Sequence, residues 1–317
     1  MAAQRPFKLF RNFSAKIASI PMVTVALVIF VGCTLWTVVY SFTSSGMLPK
    51  ALFEWSDVPL LPFDLPTGIR WSSWVGLAQY ERLWSTPRWI NSIGNLAIFG
   101  VLSMAFTLVI GFVLAALLDR KVRGEDVFRT IFLYPFALSF IVTGLIWQWI
   151  LNPDFGIQHV VRSMGWETFT FNPIYDANIV LYGLLIAALW QGTGLIMCIM
   201  LAGLRGIDED IWKAARVDGI ATWKTYTHVI IPMMRPVFVT ALVLIASGII
   251  KVYDLVIAQT SGGPGLASDM PAIYVMQQLF GAQNLGQGFA ASTMMLLSVV
   301  IILIPWAILE YGGKKRG

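Results

Sequence analysis

Six apolar runs dominate this chain of 317 residues. They cover residues 20–40, 93–118, 128–151, 179–204, 237–256 and 289–309. A helix needs about 20 mostly apolar residues to cross the hydrocarbon core of a bilayer. Only 12% of the residues are charged, which is about half the share of a soluble chain, so charge cannot cover the surface. The sequence therefore predicts an all-α membrane protein with about six transmembrane helices.

The basic residues are divided unevenly between the two sides of the predicted membrane. Of the 22 lysines and arginines, 16 lie before the first run, in the second and fourth loops or near the last run's end, whereas five lie in the other loops. Basic loops stay on the cytoplasmic side, so both termini of this multi-pass chain are predicted to be cytoplasmic. The net charge of +5 is an orientation signal and not a nucleic-acid-binding surface. The first run is longer than the apolar core of a signal peptide and is predicted to stay uncleaved.

No pattern in the sequence predicts catalysis or metal binding. The chain has no phosphate-binding loop of the Walker type, and no run carries a pair of carboxylates. His159 and His228 are expected on opposite sides of the membrane, so they cannot share a metal. Cys33 and Cys198 lie in apolar runs and are expected to fill space. We therefore expect no catalytic residue and no metal, and any energy source must lie on another chain.

The longest polar stretch between two runs is WKAARVDGIATWKTYTHVIIPMMRP, residues 212–236. The acidic residues 208–210 favour the start of a helix, because a helix N-terminus attracts negative charge. Residues 211–217 are predicted to form this helix, and Gly219 is expected to end it in a left-handed conformation.

The rest of this stretch predicts a second short turn and then an abrupt bend. Thr222 is expected to cap the turn, and Pro232 and Pro236 restrict the chain where the fifth run begins. Ala214 and Ala215 are expected to leave one face of the first helix narrow. The residues leave two interpretations open: a helix that docks a partner protein, or an amphipathic helix on the inner membrane surface.

The stretch KAARVDGIATWKTYTHVIIPMMRP resembles the cytoplasmic loop of permease subunits in binding-protein-dependent ABC importers. The pattern of that family has Glu-Ala-Ala, three residues that include Asp, then Gly, and later a Pro. The matching residues here are Ala214, Ala215, Asp218, Gly219 and Pro232. The chain departs from the pattern at Lys213, where the family usually has Glu, and at Ile220, where it usually has Ala.

Three further stretches resemble the carbohydrate-uptake branch of these importers. They are GLIWQWILNPDFGI (144–157), LWQGTGLIMCIMLAGLRGID (189–208) and VYDLVIAQTSGGPG (252–265). The resemblance implies a type I ABC importer permease fold and a location in the bacterial inner membrane. It assigns residues 1–19 to a cytoplasmic segment, 20–309 to the transmembrane permease domain with its coupling loop at 205–236, and 310–317 to a cytoplasmic tail.

The resemblance also implies a division of labour between chains. The permease moves a solute, a sugar or related carbohydrate, by alternating access and binds no cofactor, while ATP and Mg²⁺ bind to separate ATPase subunits. The implied partners are a second homologous permease subunit in a heterodimer, two ABC ATPase subunits, an external solute-binding protein and membrane lipid. The residues implied in ATPase coupling are Lys213, Ala214, Ala215, Asp218, Gly219 and Pro232. The residues alone also allow a membrane scaffold that docks a cytoplasmic partner without transport, or, less compatibly, an intramembrane enzyme.

Polar and aromatic residues inside the runs are candidates for the solute path, because buried polar groups in a membrane tend to face a cavity or a partner. The candidates are Trp147, Gln148, Trp190, Gln191, Lys251, Tyr253 and Asp254. Ser247, Lys251, Asp254 and Ala258 are predicted to share one helical face. The alternatives are an ion pair between Lys251 and Asp254, outward extension of both side chains, and helix–helix hydrogen bonds for the glutamines.

Two outer loops have both a structural and a binding interpretation. The first holds five tryptophans, which either lie at the membrane interface or form a docking surface for an external partner. They are Trp55, Trp71, Trp74, Trp84 and Trp89. The stretch SGGPG, residues 261–265, is predicted to be a turn that either only connects two runs or contacts a solute-delivering protein.

Overall fold

The computed structural model describes residues 20–46, 53–59, 66–71, 74–120 and 123–313. The predicted N-terminal segment and the last four residues of the predicted tail lie outside this part of the chain. The chain divides into two compact units. Unit 1 comprises residues 1–83 and 278–293, and unit 2 comprises residues 84–277 and 294–317. All the residues predicted for coupling and for the solute path lie in unit 2.

Unit 1 contains the first span and the only sheet in the described residues. Its elements are α1 (Ile20–Tyr40), β1 (Phe53–Pro59), the antiparallel β2 (Pro66–Trp71) and most of α2 (Ala78–Ser85). The chain after α1 is joined to α2 by buried hydrogen bonds. The Ser41 and Tyr80 hydroxyls lie 2.5 Å apart, and Gln79 Nε2 donates to Thr43 O at 2.9 Å.

Unit 2 contains the other helices, with α13 entering it at Met294. They are α3 (Pro87–Leu118), α4 (Glu125–Leu133), α5 (Phe140–Ile150), α6 (Ile157–Ser163), α7 (Val180–Arg205), α8 (Glu209–Val217), α9 (Thr222–Met233), α10 (Arg235–Ile250), α11 (Asp254–Thr260), α12 (Pro271–Met276) and α13 (Leu285–Gly313). Three helices of the described chain, α1, α3 and α7, are each long and apolar enough to cross a membrane.

The core of unit 2 lies between α3 and α7. Gly111 of α3 allows a close approach, because an added Cβ would lie only 2.8 Å from a side-chain carbon of Ile196 on α7. Beyond that contact, Met197, Met200 and Leu204 of α7 are fully or almost fully buried. Burying a side chain of this kind stabilises a fold by about 1.5–3 kcal/mol relative to water. In a membrane that value does not apply to lipid-facing positions, so close packing at glycines matters more.

Two of the predicted spans are bent pairs of helices and not single straight helices. Residues 125–137 meet α5 at 101°, and α9 meets α10 at 72°. At the first bend Leu138 is extended, and Ser139 caps α5 by accepting a bond from the Val142 amide at 3.2 Å. The six predicted spans correspond to α1, α3, the α4–α5 pair, α7, the α9–α10 pair and α13. The mostly helical fold class is therefore confirmed.

The predicted fifth span is wrong at its end. It was expected to reach residue 256, but α10 ends at Ile250 and α11 begins separately at Asp254. Tyr253 has φ −135° and ψ −60°, outside the helical region. The predicted helical face that joined Ser247, Lys251, Asp254 and Ala258 is therefore interrupted. No proline marks this break, so the sequence pattern could not reveal it.

Candidate functional site

Asp208 caps the N-terminus of α8. The Asp208 side chain accepts a hydrogen bond of 2.9 Å from the Asp210 amide. Glu209 and Asp210 place further negative charge in the first turn, where the helix dipole favours it. The predicted helix at 211–217 is confirmed, and it begins two residues earlier because Asp208 supplies the cap.

Gly219 ends α8 in the left-handed conformation that the sequence predicts, with φ +66°. The Ile220 amide donates to Ala215 O at 3.0 Å, and the Gly219 amide donates to Arg216 O at 3.2 Å. This pair of bonds is the Schellman motif, which satisfies two carbonyls at a helix end. A Cβ at position 219 would meet no atom within 4 Å. The backbone conformation, and not lack of space, therefore requires glycine here.

The structure changes two expectations for the residues that follow. Thr222 makes no capping hydrogen bond, because α9 begins at Thr222 itself and Ala221 precedes it. Pro232 does not mark the bend before the fifth span. It lies within α9, after the π-helical turn Tyr226–Ile230, at the start of a new short turn where a missing amide is tolerated. The bend follows at Met234, and Pro236 lies in the first turn of α10.

Aromatic contacts fix α8 and α9 to the ends of two longer helices. The rings of Trp212 on α8 and Tyr226 on α9 lie 5.3 Å apart between centroids. Tyr226 lies 6.2 Å from Phe112 of α3, which lies 5.5 Å from Phe238 of α10. Aromatic pairs at such separations contribute about 0.5–1.5 kcal/mol beyond their buried area. The α8–α9 segment, residues 208–233, is therefore packed against α3 and, through Phe112, linked to α10.

A network of ion pairs joins the helix ends near this segment. Arg205, the last residue of α7, contacts Glu125 at 2.7 Å and Asp119 at 3.8 Å, and Arg129 contacts Glu125 at 3.7 Å. From the sequence, these basic residues were predicted only to orient the chain. The acidic residues beside them at the ends of the runs are the sequence signal for the ion pairs. Single exposed pairs contribute little, but a network that links three helix ends restricts their relative movement.

An exposed apolar surface surrounds the end of α8. The side chains of Val217, Ile220 and Trp223 are 86%, 40% and 62% exposed, and together we name them the α8–α9 patch. Ala214 is exposed, but Ala215 is buried within unit 2. The expectation that both alanines leave a free narrow face is therefore wrong for Ala215, because that methyl already packs against its own chain.

Lys213 forms ion pairs with two acidic residues of its own helix. Its Nζ lies 3.0 Å from Asp210 Oδ1 and 3.4 Å from Glu209 Oε2. The hydrogen bonds to Asp210 and Glu209 raise the pKa of Lys213 above its ordinary value. Because the pKa of Lys213 is raised in the folded protein, these pairs stabilise the fold fully at pH values below the ordinary lysine pKa. That stabilisation is lost only as the pH rises through the raised pKa of Lys213. At neutral pH the helix therefore keeps both pairs.

The solute-path candidates of α5 and α7 fall into two groups. The rings of Trp147 and Trp190 lie 6.0 Å apart in an edge-to-face arrangement. Gln191 is only 2% exposed, and its Nε2 donates to Leu138 O at 2.8 Å, the carbonyl at the bend between α4 and α5. The Gln191 amide nitrogen therefore links α7 to the bend between α4 and α5, as the structural alternative for the glutamines expects, while Gln191 Oε1 is buried without a partner among the described residues.

The candidates at the break after α10 are not brought together. Lys251 and Asp254 are both exposed, and no ion pair of the described chain includes either of them. Tyr253 between them is half-buried. Of the two structural alternatives, the ion pair between Lys251 and Asp254 is therefore absent from the described chain, because the helix that would have aligned them ends at Ile250.

A cavity of about 190 Å³ lies beside the C-terminal end of α5. It is lined by Gln148, Ile174, Tyr175, Gln259, Thr260, Ser261, Gly263 and Pro264. The structure thus brings one solute-path candidate, Gln148, to the predicted SGGPG turn. The turn has left-handed residues at Ser261, Gly262 and Gly265, which agrees with its Gly-rich sequence.

The loop after this turn is held by a buried ion pair. Arg88 Nε donates to Asp269 Oδ2 at 2.7 Å, and Asp269 is 1% exposed. Arg88 also donates to Gln277 and lies over the ring of Tyr274. Of the outer-loop tryptophans, Trp74 and Trp84 are exposed. Trp89 is buried, and its ring centroid lies 5.3 Å from that of Tyr274. Trp89 therefore cannot belong to an interfacial or docking surface. The side chains of Trp55 and Trp71 lie outside the described part.

Known proteins with similar sequences are membrane permeases. A probable ABC transporter permease protein of Pyrococcus horikoshii is 35% identical over 76% of this chain and 83% of its own length. The xylose/arabinose import permease protein XacH of Haloferax volcanii is 30% identical over 75% of each chain. A solved bacterial alginate ABC transporter, in complex with its pentasaccharide-bound periplasmic protein, contains a chain with the same fold. That chain has a TM-score of 0.75 and 16% identity, over 96% of both chains.

Residues 107–311 match the family model described as the inner membrane component of binding-protein-dependent transport systems. The match includes the bent α4–α5 and α9–α10 pairs, the α8–α9 segment and the cavity. It covers more than half of the chain and agrees with the relatives above in fold and in kind of protein. This chain belongs to the family of inner membrane components of binding-protein-dependent transport systems, and it is a permease of the ABC importer type.

Proposed function

We propose that this permease couples to a separate ATPase subunit through the α8–α9 segment. The α8–α9 patch carries the proposal, because it exposes Val217, Ile220 and Trp223 around a capped helix end that aromatic contacts fix to α3 and α10. Grouped exposed apolar side chains in a polar segment indicate a protein interaction site. The proposed coupling residues are Lys213, Ala214, Ala215, Asp218, Gly219 and Pro232.

The complex that this proposal requires contains several chains. A second homologous permease subunit forms a heterodimer with this one, two ATPase subunits bind ATP and Mg²⁺, and an external solute-binding protein delivers the solute. This chain itself holds no cofactor. The uneven distribution of basic residues supports a cytoplasmic location for both termini and for the α8–α9 segment.

Alternating access needs elements with two stable arrangements that a partner can bias. The bends of 101° and 72° supply such elements, because each divides a span into two segments that can move about a short connection. The α9–α10 bend lies directly beside the α8–α9 segment. Movement of a docked ATPase is therefore passed to α10 and, through Phe112, to α3.

A carbohydrate is the proposed solute. Two of the similar proteins, a xylose/arabinose permease and a trehalose/maltose permease, support this class by their names, whereas others are named for sn-glycerol-3-phosphate. Trp147 and Trp190 offer aromatic faces to the apolar side of a sugar ring, and Gln191 Oε1 offers an acceptor to a hydroxyl. Lys251, Tyr253 and Asp254 at the break after α10 remain proposed contacts on the same path, together with Gln148.

Reconstitution of the complete importer in proteoliposomes tests the coupling proposal. The Gly219→Pro variant cannot adopt the left-handed conformation at the end of α8, so we expect solute uptake to fall at least tenfold while the ATPase subunits still hydrolyse ATP. The Gly219→Asn variant is the matched control, because Asn tolerates this conformation best among the other residues. It should keep most of the uptake.

The outcomes separate transport from the scaffold alternative. Uptake by the Gly219→Pro variant at the rate of the unmodified importer would contradict coupling through this helix. A scaffold would bind its cytoplasmic partner, yet the unmodified complex would take up no solute in the presence of ATP and the binding protein. An intramembrane enzyme would convert its substrate with no ATPase present.

A further inference from the structure

The 190 Å³ cavity lies at the end of α7 opposite the α8–α9 segment. Gln259, which lines the cavity, donates from Nε2 to Gly183 O at 3.0 Å near the start of α7. Arg205, at the other end of α7, joins the ion-pair network beside α8. At 1.5 Å per residue, Gly183 and Arg205 are about 33 Å apart along the helix. This distance equals the thickness of a bilayer core, about 30 Å, so the cavity and the α8–α9 patch belong to opposite membrane faces.

A close helix contact determines where the cavity forms. α5 and α11 touch at Gly144, where an added Cβ would lie 2.6 Å from Ala258 Cβ and 3.0 Å from Leu255 O. Gln148 lies one turn further along α5, and Gln259 follows Ala258 directly. The two glutamines are therefore placed at the cavity by a rigid crossing of two helices and not by a mobile loop.

The cavity offers unused hydrogen-bonding capacity. Gln259 is 1% exposed, and its Oε1 has no partner among the described residues. A buried polar atom without a partner costs about 1–3 kcal/mol, which a ligand or water that donates a hydrogen bond would recover. The Gln148 side chain makes no hydrogen bond within the described chain, so it has both a donor and an acceptor free. The Thr260 hydroxyl is already engaged, because it donates to Val256 O at 3.1 Å and shares a hydrogen bond of 2.8 Å with the Ser268 hydroxyl.

The size and the walls of the cavity restrict the ligand. A volume of 190 Å³ corresponds to about six water molecules. Pockets for drug-sized ligands are larger, roughly 300–1,000 Å³. One ring fits inside the cavity, and further rings of a longer solute would extend out through its open side. Tyr175, 57% exposed, and the buried Ile174 add apolar surface beside the amides. A hydroxylated ring with one apolar face matches this combination of walls.

We propose that this cavity binds a single sugar ring, as a first solute contact on the membrane face opposite the α8–α9 patch. The choice of a sugar rests on the proposed function, whereas the polarity and size of the site rest on the cavity alone. In this role Gln148 and Gln259 bind ring hydroxyls, and Tyr175 covers the apolar face of the ring. Ser261 lies at the exposed rim of the cavity. It is assigned no hydrogen bond to the sugar, so a cysteine in its place can report whether the cavity is occupied.

Cysteine protection in the complete importer, reconstituted in nanodiscs, tests the proposal. The background variant replaces Cys33 and Cys198, and Ser261→Cys then provides one thiol at the rim of the cavity. Labelling by a small maleimide is timed with and without D-xylose and D-glucose, with L-serine as a non-sugar solute. We expect one or both sugars to slow labelling at least threefold and saturably, and L-serine to have no effect.

Two controls connect protection to the cavity. Met164→Cys places a thiol outside the cavity, at a residue that is 80% exposed, and its labelling should not respond to sugar. Gln148→Leu in the Ser261→Cys background keeps the size of the side chain but removes its hydrogen bonds, and it should abolish protection. Gln259 is left intact because it also holds Gly183.

Uptake assays on the same preparations separate the two proposals. If the unmodified importer takes up sugar but Ser261→Cys is never protected, or is protected equally in the Gln148→Leu variant, the cavity proposal is wrong and the proposed function stands. If no sugar is taken up with any solute-binding protein supplied, the carbohydrate function itself is wrong. Protection that follows L-serine as well as sugar would also overturn a site specific for a sugar ring.

Discussion

Two glycines of α7 show how much one missing methyl group can determine. An added Cβ on Gly194 would lie 1.9 Å from Phe132 O and 2.9 Å from Leu133 Cα. An added Cβ on Gly192 would have no atom within 4 Å. Both glycines lie inside the same helix, two residues apart, so they share helix propensity and differ only in their surroundings. Gly194 is therefore the residue that lets α4 approach α7.

We expect Gly194→Ala to lower the thermal unfolding midpoint and Gly192→Ala to leave it unchanged or raise it. Forcing a methyl group into a packed contact costs about 1–3 kcal/mol or more, whereas replacing a free helical glycine by alanine gains about 0.5–1 kcal/mol. The midpoints are measured on the detergent-purified protein by thermal denaturation with size-exclusion detection. Equal midpoints for the two variants would show that α4 can move away from α7 at no cost.

At the scale of elements, the bend between α4 and α5 depends on a side chain from a third helix. A break in a membrane helix frees backbone carbonyls that need a donor inside the protein. Gln191 of α7 supplies that donor to Leu138 O at 2.8 Å. The bend is thus part of how α7 packs against the broken span, and not a property of residues 134–139 alone.

Replacing this donor tests the role of Gln191 in the bend. Gln191→Leu keeps the size of the side chain but leaves the Leu138 carbonyl without its partner, which costs about 1–3 kcal/mol. We expect a lower unfolding midpoint in the absence of any solute. Gln148→Leu is the matched control, since Gln148 makes no hydrogen bond within the described chain, and its midpoint should not fall. An unchanged midpoint for Gln191→Leu, with a raised KM for uptake, would instead assign Gln191 to the solute path alone.

The sequence predicted those elements whose cause is local and missed those whose cause lies on another helix. The spans follow from apolar runs matched to the bilayer, and the end of α8 follows from a glycine beside helix formers. The bend at Leu138 has a local part, the Ser139 cap, and a distant part, the hydrogen bond from Gln191 of α7. The break after Ile250 has no proline to mark it. At the candidate site, the sequence predicted helix α8 and its end at Gly219. It did not predict the ion pairs of Arg205 or the hydrogen bond from Gln191 to Leu138 O.

At the scale of the whole molecule, charge and helix length together divide the chain between two faces. The α8–α9 patch follows the C-terminal end of α7. α6 lies near the N-terminal end of α7, where Gly183 packs close to Leu151 at the end of α5. A helix of 26 residues extends about 39 Å, enough to separate the two regions by a bilayer. The excess of basic residues on the α8–α9 side supports the proposed cytoplasmic location of that face.

This assignment predicts opposite accessibility for two exposed residues of unit 2. With Cys33 and Cys198 replaced, a membrane-impermeant maleimide should label the Met164→Cys variant in intact spheroplasts. It should label the Val217→Cys variant only in inverted vesicles, because the proposed orientation places the 86% exposed Val217 side chain on the cytoplasmic side. Permeabilised membranes, in which both should react, control for burial by partner subunits. Labelling of both from one face would mean that α7 does not cross the bilayer. Exchanged faces would mean that α7 crosses but that the basic residues do not set its direction.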